Sequence, residues 1–115
     1  MQYMLLIHSD DAALAAVAPG HLEGIEAEFG AYTEALQKAG VLLGGEQLQP
    51  PDATVQVRIR DGRTEVLNGP YAETREQLGG FYLIEVPDLD TALAWAARCP
   101  GASCGTVEVR PVCAM

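Results

Sequence analysis

The chain has 115 residues, 49% of them hydrophobic and 20% charged, the ordinary balance of one globular domain with a single modest core. Its formal net charge of −9 argues against nucleic acid and against an anionic membrane surface, since both demand a basic face. Cys99, Cys104 and Cys113 are odd in number and lack a fourth ligand at zinc spacing, so they read as reduced thiols of a cytoplasmic protein and not as a disulfide framework or a metal site.

In chain order, Tyr3 to His8 is a short apolar run that predicts a buried strand. The start lacks the basic flank of a signal peptide, and no segment reaches the ~18–20 apolar residues that span a bilayer. Asp10 to Val17 is alanine-rich and predicts a short helix ended by Pro19-Gly20. Leu22, Ile25, Phe29, Tyr32 and Leu36 recur at helical spacing, which predicts an amphipathic helix from about His21 to Lys38 with Gly40 as its stop. Val41-Leu42-Leu43 leads into Gly44-Gly45 and reads as part of an extended connection closed by Pro50-Pro51. Val55, Val57 and Ile59 alternate with polar residues, as a half-buried strand would, and Asp61-Gly62 predicts a tight hairpin turn to a return strand from about Arg63 to Leu67. Phe81 to Val86 is the most apolar strand. Asp88 is a candidate N-cap for a helix from Leu89 to Arg98 that turns Leu89, Leu93 and Ala96 inward, and Thr106 to Val109 is a last strand.

The order strand, helix, strand, strand, helix, strand is that of the split βαβ, or ferredoxin-like, α+β arrangement: an antiparallel sheet with both helices on one face. Alternation then leaves large apolar groups on the other face, whichever set of Tyr3, Leu5, Ile7 or Met4, Leu6, His8 meets the helices. A small monomer rarely exposes such a patch, so a homodimer paired sheet against sheet is expected.

Asn68-Gly-Pro-Tyr-Ala-Glu-Thr-Arg-Glu-Gln-Leu-Gly-Gly80 places polar and aromatic groups on a loop between strands, where function often resides. This segment resembles the signature of the YCII-related, or DGPF-domain, family, which reads approximately Asp-Gly-Pro-Phe-Ala-Glu-Thr-Lys-Glu-Gln-Leu-Gly-Gly. The likeness extends from Met1–Ile7 through Gly44–Pro51, Val55–Gly62 and Val86–Asp90 to Val107–Pro111. It implies one domain over residues 1–115 and a dimeric α+β barrel. Asn68 and Tyr71 depart from the family's Asp and Phe, and an amide exchanges no proton near neutral pH, so an acid–base role for the family's Asp does not carry over.

Each candidate residue has a chemical reading and a plainer one. His8 closes the first strand beside Asp10 and Asp11, as a general base oriented by a carboxylate or as a solvated strand end. Arg58 is a fork for an anion or the partner of Glu65 or Glu108 on a neighbouring strand. Glu46, after Gly44-Gly45, faces a cavity or solvent. Asn68 and Tyr71 are donors to a ligand oxygen and Glu73 a proton acceptor. Alternatively, Asn68 serves the turn, Tyr71 plugs a seam, and Thr74 with Gln77 forms a capping box for a helical turn. Gly79-Gly80 lacks the pattern of a nucleotide-binding loop.

Two functions follow from these readings. One is a cofactor-independent enzyme of isomerase or lyase type, acting on a small polar or aromatic substrate in a dimer cleft that would take a small anionic or aromatic ligand. Glu73 or His8 is then the base, and Arg58, Asn68, Tyr71, Thr74 and Glu46 line the ligand site. The other is a non-catalytic ligand-binding or regulatory dimer, which the family resemblance associates with sigma-factor regulation.

Overall fold

The computed structural model describes residues 1–10, 19–71 and 74–113. The alanine-rich segment read as a first helix lies outside the described residues. The long helix, α1, runs Pro19–Lys38 and turns Tyr32 and Leu36 into the core, with Ile25 and Phe29 partly buried on the same stripe. It ends where the Gly40 N–H reaches the Gln37 carbonyl and the Val41 N–H reaches that of Leu36, a closure that requires the positive φ of Gly40. The second helix, α2, is Leu89–Arg98. Asp88 caps it, accepting from the Thr91 hydroxyl at 2.6 Å and the Thr91 backbone N–H at 2.8 Å. Those bonds hold the Asp88 carboxyl below its usual value, because they favour the charged form. A short helix, α3, follows at Gly101–Cys104.

Among the described residues six strands form: β1 Gln2–Ser9, β2 Leu42–Gln47, β3 Val55–Arg60, β4 Arg63–Asn68, β5 Gln77–Glu85 and β6 Gly105–Pro111. Four of them make an antiparallel sheet in the order β2-β5-β1-β6. With the helices after β1 and β5, this is the ferredoxin-like arrangement. Its members differ from those expected in one respect. The segment read as a connection is the edge strand β2, and the hairpin read as part of the sheet is a separate two-stranded ribbon, β3–β4. Gly44-Gly45 obscured β2, because glycine carries neither apolar alternation nor strand propensity. It is nevertheless what lets β2 approach β5: a Cβ at Gly45 would lie 2.6 Å from the Phe81 carbonyl oxygen, and one at Gly80 2.8 Å from that of Glu46. Asp61 and Gly62 both take positive φ, 52° and 74°, and form the two-residue turn of the ribbon.

Tyr3, Leu5, Ile7, Ile84 and Val86 face the helices and are buried against Tyr32, Leu36, Ala92, Ala96 and Cys99. Burial, which outweighs the opposing pull of the Arg98 cation, pushes the Tyr32 phenol well above its usual value, and its hydroxyl donates to the Trp95 carbonyl at 2.7 Å. The inward face of α2 is therefore the Ala92, Ala96, Cys99 stripe. Leu89 and Leu93, expected inside, lie to one side of that stripe and stay 47% and 46% exposed. Val55, Val57 and Ile59 do not meet the helices either and remain 58–66% exposed. Met4, Leu6, Phe81 and Leu83 occupy the opposite, open face of the sheet, where Met4 pairs Leu83 and Leu6 pairs Phe81.

Candidate functional site

The strand pairing of β1 with β5 shifts register between Ile7 and His8: Ile7 faces Gly80, whereas His8 faces Leu78. The odd residue is Gly79. Such a bulge re-aims the side chains beside it, and here it sits at the end of the open face. On the other side His8 pairs Thr106 and Leu6 pairs Glu108, so the imidazole and the Glu108 carboxylate are diagonal neighbours on one face. Nε2 of His8 lies 2.5 Å from Oε1 of Glu108, an ion-pair contact without hydrogen-bond geometry. Gly105 permits the close packing: a Cβ there would run into the His8 carbonyl oxygen.

Two loops converge in front of His8. Leu48 N–H donates to the Gly79 carbonyl at 2.9 Å, and Gly69 N–H donates to that of Thr54 at 2.8 Å. The Gln56 amide ties the Gly-Pro turn from below, donating to the carbonyls of Gly69 and Pro70 at 2.9 Å each. These bonds border a half-open cavity of about 410 Å³ lined by His8, Leu48, Pro51, Thr54, Pro70, Tyr71, Thr74, Glu76, Gln77 and Leu78. That is the size range of a small-molecule site. It lies between β1, the 48–54 loop and the signature loop.

The sequence-predicted residues divide. His8, Tyr71 and Thr74 line the cavity, Tyr71 as a rim group that is 93% exposed. Glu46 pairs Phe81 on β2 and is exposed, and Asn68 ends β4 opposite Val55; neither lines the cavity. Arg58 binds Glu65 across the ribbon, Nε to Oε2 at 2.8 Å, the cross-strand pairing that was its plainer reading. Glu73 lies outside the described residues. Thr74 and Gln77 form no helix. Gln77 instead donates to the Thr74 carbonyl at 2.7 Å and to its hydroxyl at 3.1 Å, stitching the loop into β5.

Sequence reasoning missed Glu76 and the role of Glu108. Glu76 accepts from the Thr106 hydroxyl at 2.7 Å, which fixes its carboxylate at the cavity wall. Glu108 was one of two acids expected to reach Arg58, and the alternation Thr106, Glu108, Arg110 was the available signal that it shares a face with His8. Among the described residues no cluster of His, Cys, Asp or Glu has the makings of a metal site, and no helix is long and apolar enough to cross a membrane.

Comparison with known proteins agrees with this architecture. The YCII-related domain matches residues 1–115. An uncharacterised protein of Rhizobium meliloti is 37% identical over 114 residues, covering 97% of this chain and 92% of that protein. A solved structure of 5-chloro-2-hydroxyhydroquinone dehydrochlorinase from Burkholderia phenoliruptrix, in complex with 2,5-dihydroxybenzoquinone, superposes with a TM-score of 0.52. It covers 97% of this chain and 93% of that one at 15% identity, a likeness of fold. The chain belongs to the YCII-related domain family.

Proposed function

We propose that this protein is a homodimeric, cofactor-independent enzyme that transfers a proton on a small hydroxylated aromatic molecule held in the cavity beside His8. The observation that carries the reading is the His8–Glu108 pair at the mouth of a site of about 410 Å³. The Glu108 carboxylate orients the ring and stabilises the imidazolium that forms, leaving Nδ1 to accept a phenolic proton. Tyr71, Pro70, Leu48 and Leu78 supply apolar and aromatic surface for a ring, and Thr54, Thr74 and Gln77 supply polar groups for its hydroxyls.

The charge of the lining favours a neutral or weakly acidic ligand over a strong anion. Among the described lining residues Glu76 is the acid and no arginine or lysine is present, while Arg58 is engaged on the ribbon. The ligand of the solved dehydrochlorinase, 2,5-dihydroxybenzoquinone, is of that class and is the first compound to test. Pairing of two copies rests on the open sheet face, where among the described residues no helix lies over Met4, Leu6, Phe81 and Leu83. The molecule is a slab only 18 Å thick, one sheet and one helix layer deep.

Turnover of a panel of hydroxylated and chlorinated hydroquinones, followed by chloride release and absorbance, tests the reading. Activity on at least one member that disappears in His8→Ala and in Glu108→Gln is expected. Activity that survives His8→Ala removes the proposed base. A second reading, a binding protein without catalysis, is favoured by one feature: Glu76, Thr74 and Gln77 are already engaged with one another's backbone or with Thr106. Tight ligand binding with no turnover across the panel would select it.

A further inference from the structure

The carboxylate of Glu76 lines the cavity and is anchored from outside it. Thr106 is not a lining residue, yet its hydroxyl donates to Oε2 of Glu76 at 2.7 Å. β1 lies between β5 and β6, and His8 on β1 pairs Leu78 on one side and Thr106 on the other. The bond from Glu76, just ahead of β5, to Thr106 on β6 therefore spans the end of β1 beside His8. The backbone is fixed as well. The Glu76 carbonyl accepts from the Thr74 hydroxyl at 2.6 Å, and the Gln77 amide holds the Thr74 carbonyl in turn. Glu76 is half-buried, and among the described residues no donor and no cation engages its second oxygen, Oε1.

A carboxylate oxygen accepts hydrogen bonds and donates none. Held in place by Thr106, Oε1 suits a ligand group that donates and carries no charge. The described lining holds no arginine or lysine to offset the Glu76 charge, so a ligand carboxylate placed there meets a like charge. We propose that Glu76 is a specificity-determining residue: Oε1 accepts from a ring hydroxyl of the ligand, and its charge rejects the same ring bearing a carboxylate. This rests on the ring-binding reading above and narrows it. The hydroxyl that Glu76 engages is not the one that gives its proton to His8, so the ligand class is an uncharged ring with two hydroxyls.

Calorimetric titration of hydroquinone and of 2,5-dihydroxybenzoate, the same ring with one added carboxylate, into wild type, Glu76→Gln and Thr106→Val provides the test. Glutamine keeps the length and an acceptor for Thr106 but removes the charge, whereas valine keeps the charge and releases the anchor. Each protein's preference is the ratio of its two affinities, which a change in folded fraction does not move. Expected is a wild type that prefers hydroquinone by about tenfold or more, and a Glu76→Gln variant that loses this preference by binding 2,5-dihydroxybenzoate more tightly than wild type does. Thr106→Val should bind hydroquinone more weakly and still reject the carboxylate. A preference that Glu76→Gln leaves intact, or equal loss of both ligands in that variant, overturns the role of Glu76 and leaves the ring site standing. A wild type that binds hydroquinone without preferring it does the same. A wild type that binds neither ring overturns both.

Discussion

Replacing Gly80 by alanine should cost the fold far more than replacing its neighbour Gly79. Neither residue has positive φ, so the space around the added methyl decides the outcome. At Gly79 a Cβ would sit 3.6 Å from the Ser9 hydroxyl and 3.9 Å from the Ile7 carbonyl, ordinary contacts. At Gly80 it would sit 2.8 Å from the Glu46 carbonyl oxygen, where an ordinary contact begins at 3.4 Å. The obstacle is backbone of the paired strand and cannot rotate away. β2 would have to move off β5 by about 0.6 Å, at an overpacking cost of about 1–3 kcal/mol. Gly45→Ala meets the Phe81 carbonyl at 2.6 Å and should behave in the same way. For a chain of this size those costs correspond to a fall in melting temperature of about 4–15 °C. Gly79→Ala should leave it unchanged or raise it slightly, since alanine narrows the unfolded ensemble. Thermal unfolding followed by circular dichroism measures all three. Equal losses in Gly79→Ala and Gly80→Ala, or none in either, would refute the β2–β5 register on which this reasoning rests.

Leu36→Ala removes a fully buried side chain at the centre of the helix–sheet interface and should lower unfolding free energy by about 2–5 kcal/mol in a urea titration. Asp88→Ala should melt below wild type at neutral pH. Because the folded Asp88 carboxyl is held below the ordinary value of 3.8, that advantage is present above it and should vanish as pH falls further. Burial raises the Tyr32 phenol above 10.0, so the folded state keeps it neutral while an unfolded chain would ionise. Stability should therefore fall as pH climbs past 10, and Tyr32→Phe should blunt that fall in alkaline melting curves.

Much of the architecture was legible because it rests on local chemistry. The Ile25, Phe29, Tyr32, Leu36 stripe fixed the inward face of α1 (Leu22 has no described side chain), Asp88 caps α2 as its position suggested, and Asp61-Gly62 turns the ribbon. What escaped depends on contacts between distant segments. Alternation in Val55, Val57 and Ile59 says that one face is apolar, but not what covers it. Glycines in β2 erased the pattern of a strand whose pairing they make possible. The cavity was half legible: His8, Tyr71 and Thr74 meet there, but the loops around Leu48 and Thr54 join them only through backbone bonds to Gly79 and Gly69. Arg58 illustrates the limit in the other direction. A cation in mid-strand signals either a ligand or a cross-strand acid, and Glu65 stands directly opposite it.

Titration of 2,5-dihydroxybenzoquinone into wild type and His8→Ala, with heats of binding recorded, addresses the cavity most directly. Saturable binding to wild type that weakens at least tenfold in the variant, about 1.4 kcal/mol, with an unchanged melting temperature, is the predicted result. Equal affinity in the two proteins, or no binding to either, would contradict a ligand site built around His8.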